Sequence, residues 1–223
     1  MDKVGAIIVA AGQSRRMGGA DKVFAMLRGK PVLAWVIDVF QACSTIDQII
    51  VVVNRQNRSS YLQLKEQNGA KLSEPCIGGK RRQDSVAVGL AQLDGYEWIV
   101  IHDAVRPLIT ADLIERGLEA AKETGGAVAA IPVNDTIKMI GLNNMIKATI
   151  PRDVLWAAQT PQIFKSDIIH EAYRQSEIKV TDDATLVERL GYRVKIFFGA
   201  YDNIKITNQD DLYLAEALIR RRE

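Results

Sequence analysis

Apolar runs rich in β-branched residues alternate with segments of helical periodicity along most of the chain, and this alternation limits the fold more than any other feature. The runs lie at Val4–Ala10, Ile49–Val53, Trp98–Ile101, Ala127–Val133 and Arg193–Phe198. Most are apolar at nearly every position rather than every second one, as strands covered on both faces are. Pro31 opens a helical segment that runs to Phe40, in a first turn where its missing N–H is harmless. Asp84–Leu93, Thr110–Glu123 and Asn208–Arg222 carry the i, i+3, i+4 apolar stripe, with Thr110 and Asn208 as N-caps. Strands alternating with helices predict an α/β fold: a mostly parallel sheet flanked by helices.

One stretch departs from this rhythm. Asp135–Ile140 and Met145–Ile150 alternate with period two, and Gly141-Leu142-Asn143-Asn144 between them is turn chemistry. This predicts a protruding β-hairpin. A lone two-stranded hairpin is marginal in water, so it needs a surface to pack on. A second subunit and its own domain are both open as that surface.

The 223 residues suffice for one core, and no repeat, low-complexity linker or composition break divides them. The expectation is a single domain, 1–223, with an arm at about 135–155. A net charge of +2 gives no bulk attraction to nucleic acid or anionic membrane. Aromatic residues are 6% and none interleave with the basic loops, which also argues against single-stranded nucleic acid. No apolar run approaches a membrane span, and Met1-Asp2-Lys3 leads straight into a strand without signal-peptide architecture. Cys43 and Cys76 have neither metal nor redox spacing and read as reduced thiols of a cytoplasmic protein. Neither they nor His102 and His170 have zinc-site spacing.

Open α/β sheets bind ligands beyond the carboxyl ends of their strands. There this chain places Ala10-Ala11-Gly12, Arg15, Arg16 and Lys22, then Gly78–Ser85, His102–Pro107, Asn134-Asp135-Thr136 and Asp202–Lys205. Cations and glycines gathered at one sheet end suit a small polyanion. The first loop lacks both G-x-G-x-x-G and G-x-x-x-x-G-K-[ST], which weakens a dehydrogenase or P-loop reading. Its small residues allow close approach of a flat base or a phosphate to backbone N–H groups. Arg15-Arg16 alone could be a solvated surface pair.

The segments "AAGQSRRM…DK", "GGKRRQDSV", "HDAVRP", "NDTIK", "AAQTPQIF", "TDDA" and "DNIKIT" occur in this order from the first strand to the last helix. Together they resemble the 2-C-methyl-D-erythritol 4-phosphate cytidylyltransferase family over essentially the whole chain. The first motif alone marks only the wider nucleotidyltransferase superfamily. The resemblance implies a Rossmann-like nucleotidyltransferase fold, Mg²⁺ dependence and a homodimer joined through β-arms, here Asp135–Ile150. It implies that CTP and methylerythritol phosphate yield the CDP-alcohol and pyrophosphate.

Carried over by motif, Ala10, Ala11 and Gly12 line the nucleotide site, with Gly79, Arg82 and Ser85 around the base. Asp103, Ala104 and Arg106 fall where ribose, metal and substrate meet, with Asp103 as the metal carboxylate. Arg16 and Lys22 match the pair that stabilises the transition state. Arg152 and Lys205 match the residues that place the methylerythritol phosphate, and Thr136, Thr160 and Thr181 match further substrate-pocket positions. Thr136 and Arg152, on the arm, would act across the dimer. From the residues alone, Asp103 reads equally as a loop cap, and His102 reads as a packed strand-end residue rather than a base. Two positions depart from the family pattern: Ser14, where many members have glycine, and Lys80, where an acidic residue is usual. The rival readings are a cytidylyltransferase for another polyol phosphate, such as ribitol 5-phosphate, and a catalytically dead nucleotide-binding protein.

Overall fold

The computed structural model describes residues 2–12, 21–175 and 179–222, with only the backbone at Asn68. Strand β1 (Val4–Ala10) is followed by the short strands β2 (Met26–Leu27) and β3 (Lys30–Pro31), which pair with each other, and then by helix α1 (Val32–Ala42). Next come β4 (Gln48–Val53), α2 (Arg58–Asn68), β5 (Cys76–Ile77), α3 (Arg82–Leu90), β6 (Trp98–Asp103), α4 (Ala111–Ala121) and β7 (Gly126–Pro132). The hairpin strands β8 (Lys138–Ile140) and β9 (Ile146–Thr149) precede β10 (Trp156–Lys165), α5 (Ser166–Arg174), α6 (Ala184–Arg189), β11 (Lys195–Phe198) and α7 (Gln209–Arg222).

The main sheet has the order β11-β7-β10-β6-β1-β4-β5. All pairings are parallel except those of β10, which runs antiparallel to both β6 and β7. The nearly unbroken apolar runs have a direct cause: both faces of the sheet are covered. Ala6, Ile8, Ile49, Val51, Val53 and Val100 point into a core built with α1, α2 and α4. Their chain neighbours Ile7, Ile50, Val52, Ile99 and Ile101 point into the opposite core, built with α3, α5 and α6. Each fully buried Val or Ile contributes about 1.5–3 kcal/mol relative to exposure. A third cluster docks α7, through Ala215 and Ile219, on Leu27, Val32 and Leu108.

The expected N-caps are both formed. Thr110 Oγ1 accepts from Leu113 N at 3.2 Å, and Asn208 Oδ1 accepts from Asp211 N at 2.9 Å. The largest departure from expectation is β10, which the strand pattern does not announce. Its middle holds Gln159, Thr160, Pro161 and Gln162, yet the three polar residues are buried. The register slips between Ala158 and Gln162, an irregularity that accommodates a proline with no N–H to donate.

The hairpin exists, in a shorter form than the sequence pattern predicts. Its turn places Asn143 and Asn144 at φ +56° and +59°, a region asparagine tolerates. Ile140, Leu142, Met145 and Ile146 are all exposed, so the arm does not bury these side chains on its own domain.

Candidate functional site

The strand ends at Ala10, Val53 and Asp103 are neighbours in the sheet, through the pairs Ala10↔Val53 and Val9↔Asp103. Beyond them opens a cavity of ≈ 1460 Å³, bounded by the loops after β1, β4, β5 and β6 and by Lys205–Thr207. Among its described lining residues are Lys22, Arg55, Lys80, Arg81, Arg82 and Lys205, against only the carboxylates Asp21 and Asp103. A near-neutral protein therefore concentrates positive charge at one place, which favours a polyanion.

One wall is the turn leading into α3. A Cβ on Gly78 would lie 2.4 Å from Ala11 Cβ, and one on Gly79 would lie 2.3 Å from Asp84 Cβ. Only glycine lets this loop close on the end of β1 and on the first turn of α3. Asp84 caps the first turn of α3: Arg81 N donates to its Oδ2 at 3.0 Å, and Arg81 Nη2 donates to its Oδ1 at 2.6 Å. Ser85, nearly buried, donates its hydroxyl to Arg81 O at 3.2 Å. Gly12 is different, since a Cβ there would meet nothing within 4 Å.

Asp103 lies at the centre. Arg82 Nε donates to its Oδ1 at 2.9 Å and Lys205 Nζ to its Oδ2 at 2.7 Å. Burial works against the charged carboxylate, but the two cations outweigh it and hold Asp103 well below the usual carboxylate range. Beneath it, Thr160 Oγ1 accepts from Asp103 N at 3.1 Å and contacts His102 Nδ1 at 3.1 Å. His102 Nε2 reaches Arg106 O at 3.2 Å. These contacts select the tautomer protonated at Nε2, with Thr160 donating to Nδ1. Burial then lowers the His102 pKa to about 4, so the ring is neutral at pH 7.

The far end of the first loop is also pinned. Asp21 Oδ1 accepts from Val23 N at 3.0 Å, and its Oδ2 accepts from the side-chain amides of Asn54 and Asn57. Lys22 Nζ donates to Thr207 O, two residues beyond Lys205. Thr207 is in turn held by Asp211, which accepts from its N–H at 2.7 Å.

Of the residues that the sequence marks, Ala11, Gly12, Lys22, Gly79, Arg82, Ser85, Asp103 and Lys205 share the cavity. Ala10, Ala104, Arg106 and Thr160 are buried close behind it and are not among its lining residues. Arg106 turns inward, donating Nη1 to Asn203 O at 2.7 Å. Thr136, Arg152 and Thr181 are exposed and lie outside the described cavity wall, with Arg152 Nη1 donating to Asn134 O at 2.8 Å. Arg16, with Ser14 and Arg15, falls outside the described residues. The sequence reading passes over Asp183. This fully buried carboxylate accepts from Arg82 Nη1 at 2.8 Å and from Tyr173 Oη at 2.5 Å. Its only sequence signal is its place in "TDDA".

Comparison with known proteins agrees with this architecture. The chain is 53% identical over 221 residues to the 2-C-methyl-D-erythritol 4-phosphate cytidylyltransferase of Dehalococcoides mccartyi strain 195, covering 99% of this chain and 97% of that protein. The enzyme of the same name from Alkaliphilus metalliredigens is 40% identical over 229 residues, covering 99% of this chain and 95% of its own. Among solved structures, 4-diphosphocytidyl-2C-methyl-D-erythritol synthase from Anaerococcus prevotii superposes with a TM-score of 0.89 at 31% identity, covering 98% of this chain and 96% of its own. The cytidylyltransferase from Thermus thermophilus superposes with a TM-score of 0.81 at 31% identity, covering 99% of this chain and 100% of its own. The model of one family, 2-C-methyl-D-erythritol 4-phosphate cytidylyltransferase, matches residues 4–221, and the chain belongs to that family.

Proposed function

We propose that the cavity binds CTP and that a phosphate oxygen of 2-C-methyl-D-erythritol 4-phosphate attacks its α-phosphorus there. The new P–O bond forms as the bond from the α-phosphorus to the bridging oxygen of the β-phosphate breaks. The products are 4-diphosphocytidyl-2-C-methyl-D-erythritol and pyrophosphate. The observation that carries this reading is the cation-rich cavity at the strand ends of a chain belonging to this family.

The chemistry asks for charge rather than for a base. A phosphate monoester has a second pKa near ~6 and is already a dianion at pH 7. No histidine lines the described cavity wall, and His102 is neutral and fully hydrogen-bonded. Repulsion between two polyanions is the obstacle: one pair of like charges at ~4 Å costs on the order of 4 kcal/mol at an effective dielectric of ~20. Lys22 and Lys205, both on the cavity wall, oppose it. Arg16 completes the set by motif, as an expectation outside the described residues. Ala11, Gly12, Gly79, Arg82 and Ser85 hold the nucleotide, with Ala10 and Ala104 supporting them from behind. Arg106, Thr160 and Thr181 belong to the acceptor side.

Mg²⁺ prefers hard oxygen ligands, commonly one or two carboxylates with substrate phosphates supplying others. Asp103 fits that description: an ionised carboxylate on the cavity wall, each oxygen with a lone pair beyond the bond it accepts. Among the described residues no cluster of three His, Cys, Asp or Glu competes for the ion. When bound with the nucleotide, Mg²⁺ supplies charge neutralisation at the triphosphate.

The arm supports a homodimer. Its apolar side chains are exposed, and Thr136 and Arg152 lie off the cavity of their own chain, so we assign them to a partner's site. The free cysteines suit the cytoplasm, and among the described residues no helix is long and apolar enough to cross a membrane.

A pyrophosphate-release assay with a panel of nucleotides and polyol phosphates tests the reading. CTP with methylerythritol phosphate should turn over, and ribitol 5-phosphate should not replace the latter. Preference for ribitol phosphate, or CTP binding without pyrophosphate release, would refute it.

A further inference from the structure

Arg82 carries three guanidinium nitrogens, and two of them have protein partners among the described residues. Nε donates to Asp103 Oδ1 at 2.9 Å and Nη1 donates to Asp183 Oδ2 at 2.8 Å. Nη2, the third nitrogen of the planar group, has no protein partner among the described residues. Arg82 borders the cavity, whereas Asp183 is fully buried and is not among the lining residues.

Asp183 is itself tightly held. Tyr173 donates to its Oδ1 at 2.5 Å, and the backbone N–H groups of Asp183 and Ala184 donate to Gln162 Oε1 at 3.1 Å. Gln162 belongs to β10, so the carboxylate is fixed to the sheet. With Asp103 alone, Arg82 could swing to the side-on fork, giving Asp103 both Nε and Nη2, the bidentate geometry that guanidinium and carboxylate favour. Holding Nη1 at Asp183 blocks that swing.

We propose that Asp183, gripped by Tyr173, is a positioning residue for the nucleotide: it holds Arg82 so that Nη2 stays free to donate to CTP. It acts through Arg82 and touches no substrate. Asp183 stands two residues after Thr181, so the same contact ties the acceptor-side loop to the first turn of α3. The inference rests on reading the cavity as the CTP site.

The test is a double-mutant cycle on CTP affinity, measured by calorimetry, with thermal unfolding recorded for every variant. Asp183→Asn should weaken CTP about 5–20-fold, and Arg82→Gln at least as much. Asp183→Asn in the Arg82→Gln background should cost nothing further, because the group it positions is gone. Tyr173→Phe keeps both charges, is the safer variant for folding, and should give a weakening of about 2–5-fold that also disappears beside Arg82→Gln. Asp183→Asn and Tyr173→Phe both binding CTP like the parent, or either adding its full loss to that of Arg82→Gln, overturns the proposal. If Arg82→Gln itself leaves CTP affinity unchanged, the reading of this wall as the nucleotide site fails and takes the proposal with it. If Arg82→Gln weakens binding and the other two do not, the proposal alone fails.

Discussion

Lys205 Nζ lies 2.7 Å from Asp103 Oδ2, joining residues 102 positions apart in the chain. With Arg82 on the other carboxylate oxygen, it makes Asp103 the node where the end of β6, the start of α3 and the segment before α7 meet. Asp103→Asn leaves two cations facing a neutral group and should cost about 3 kcal/mol of stability at pH 7. The pH dependence has a definite sign. Burial raises the Asp103 pKa, but Arg82 and Lys205 outweigh it, and the folded value falls below the unfolded one. The contribution is thus complete above the unfolded value of ~3.9 and is lost only as pH falls toward the lower folded value. Denaturation of both proteins should give a constant difference from about pH 5 to 8 and a shrinking one well below pH 4.

His102 carries an expectation of the same sign in a higher pH window. Its folded pKa, lowered by burial from 6.5 to about 4, lies below the unfolded one, so the unfolded chain takes up the proton first. Stability should fall between pH 6.5 and 4 with a slope approaching about 1.4 kcal/mol per pH unit from this residue. Urea titrations at pH 7.5, 6.0 and 5.0 should show that loss, and His102→Gln should flatten it.

Gly79→Ala places a methyl group 2.3 Å from Asp84 Cβ, and the first turn of α3 must shift to admit it. Overpacking of this kind costs about 1–3 kcal/mol, and CTP affinity should fall with stability. Gly12→Ala meets nothing within 4 Å and should leave stability within about 0.5 kcal/mol. A loss of CTP binding without a change in unfolding midpoint would mark Gly12 as a surface on which the ligand lies.

Lys22→Ala should lower kcat by about 10²–10³ and CTP affinity only a few-fold, because the charge is needed most as the transition state forms. Equal losses in both would assign Lys22 to ground-state binding. Arg152→Ala should raise KM for the alcohol phosphate and spare CTP. Mixed subunits of Lys22→Ala and Arg152→Ala should recover activity if the arm completes the partner's site. No recovery, with subunit exchange confirmed, removes the shared-site geometry.

The sheet was readable where burial on both faces leaves unbroken apolar runs, as in β1, β4, β6 and β7. It was not readable in β10, where Gln159, Thr160 and Gln162 are buried because their side chains bond the backbone or polar side chains of other elements. Such residues look like loop residues in one dimension. Helices α2, α5 and α6 were passed over as well; α2 is polar over most of its surface and α6 spans only Ala184–Arg189. For the site, glycines and cations at strand ends were legible because strand ends converge in this class of sheet. Asp183 was not, since nothing local separates a buried carboxylate from a solvated one. The dispersal of Thr136 and Arg152 onto an exposed arm was legible only through the family resemblance.

The place of β10 between β6 and β7 also sets an order for biosynthesis. When β6 leaves the ribosome its partner β1 has already emerged, but its other edge must wait for the stretch ending at Lys165, roughly 60 residues later. At about 5–20 residues per second the nascent chain carries that open edge, from Trp98 to Asp103, for about 3–12 s. β7 emerges during the same interval, equally without its neighbour. This polar strand, third of the seven, is therefore the piece that joins the two parts of the sheet, and β11 and α7 are added only after it arrives.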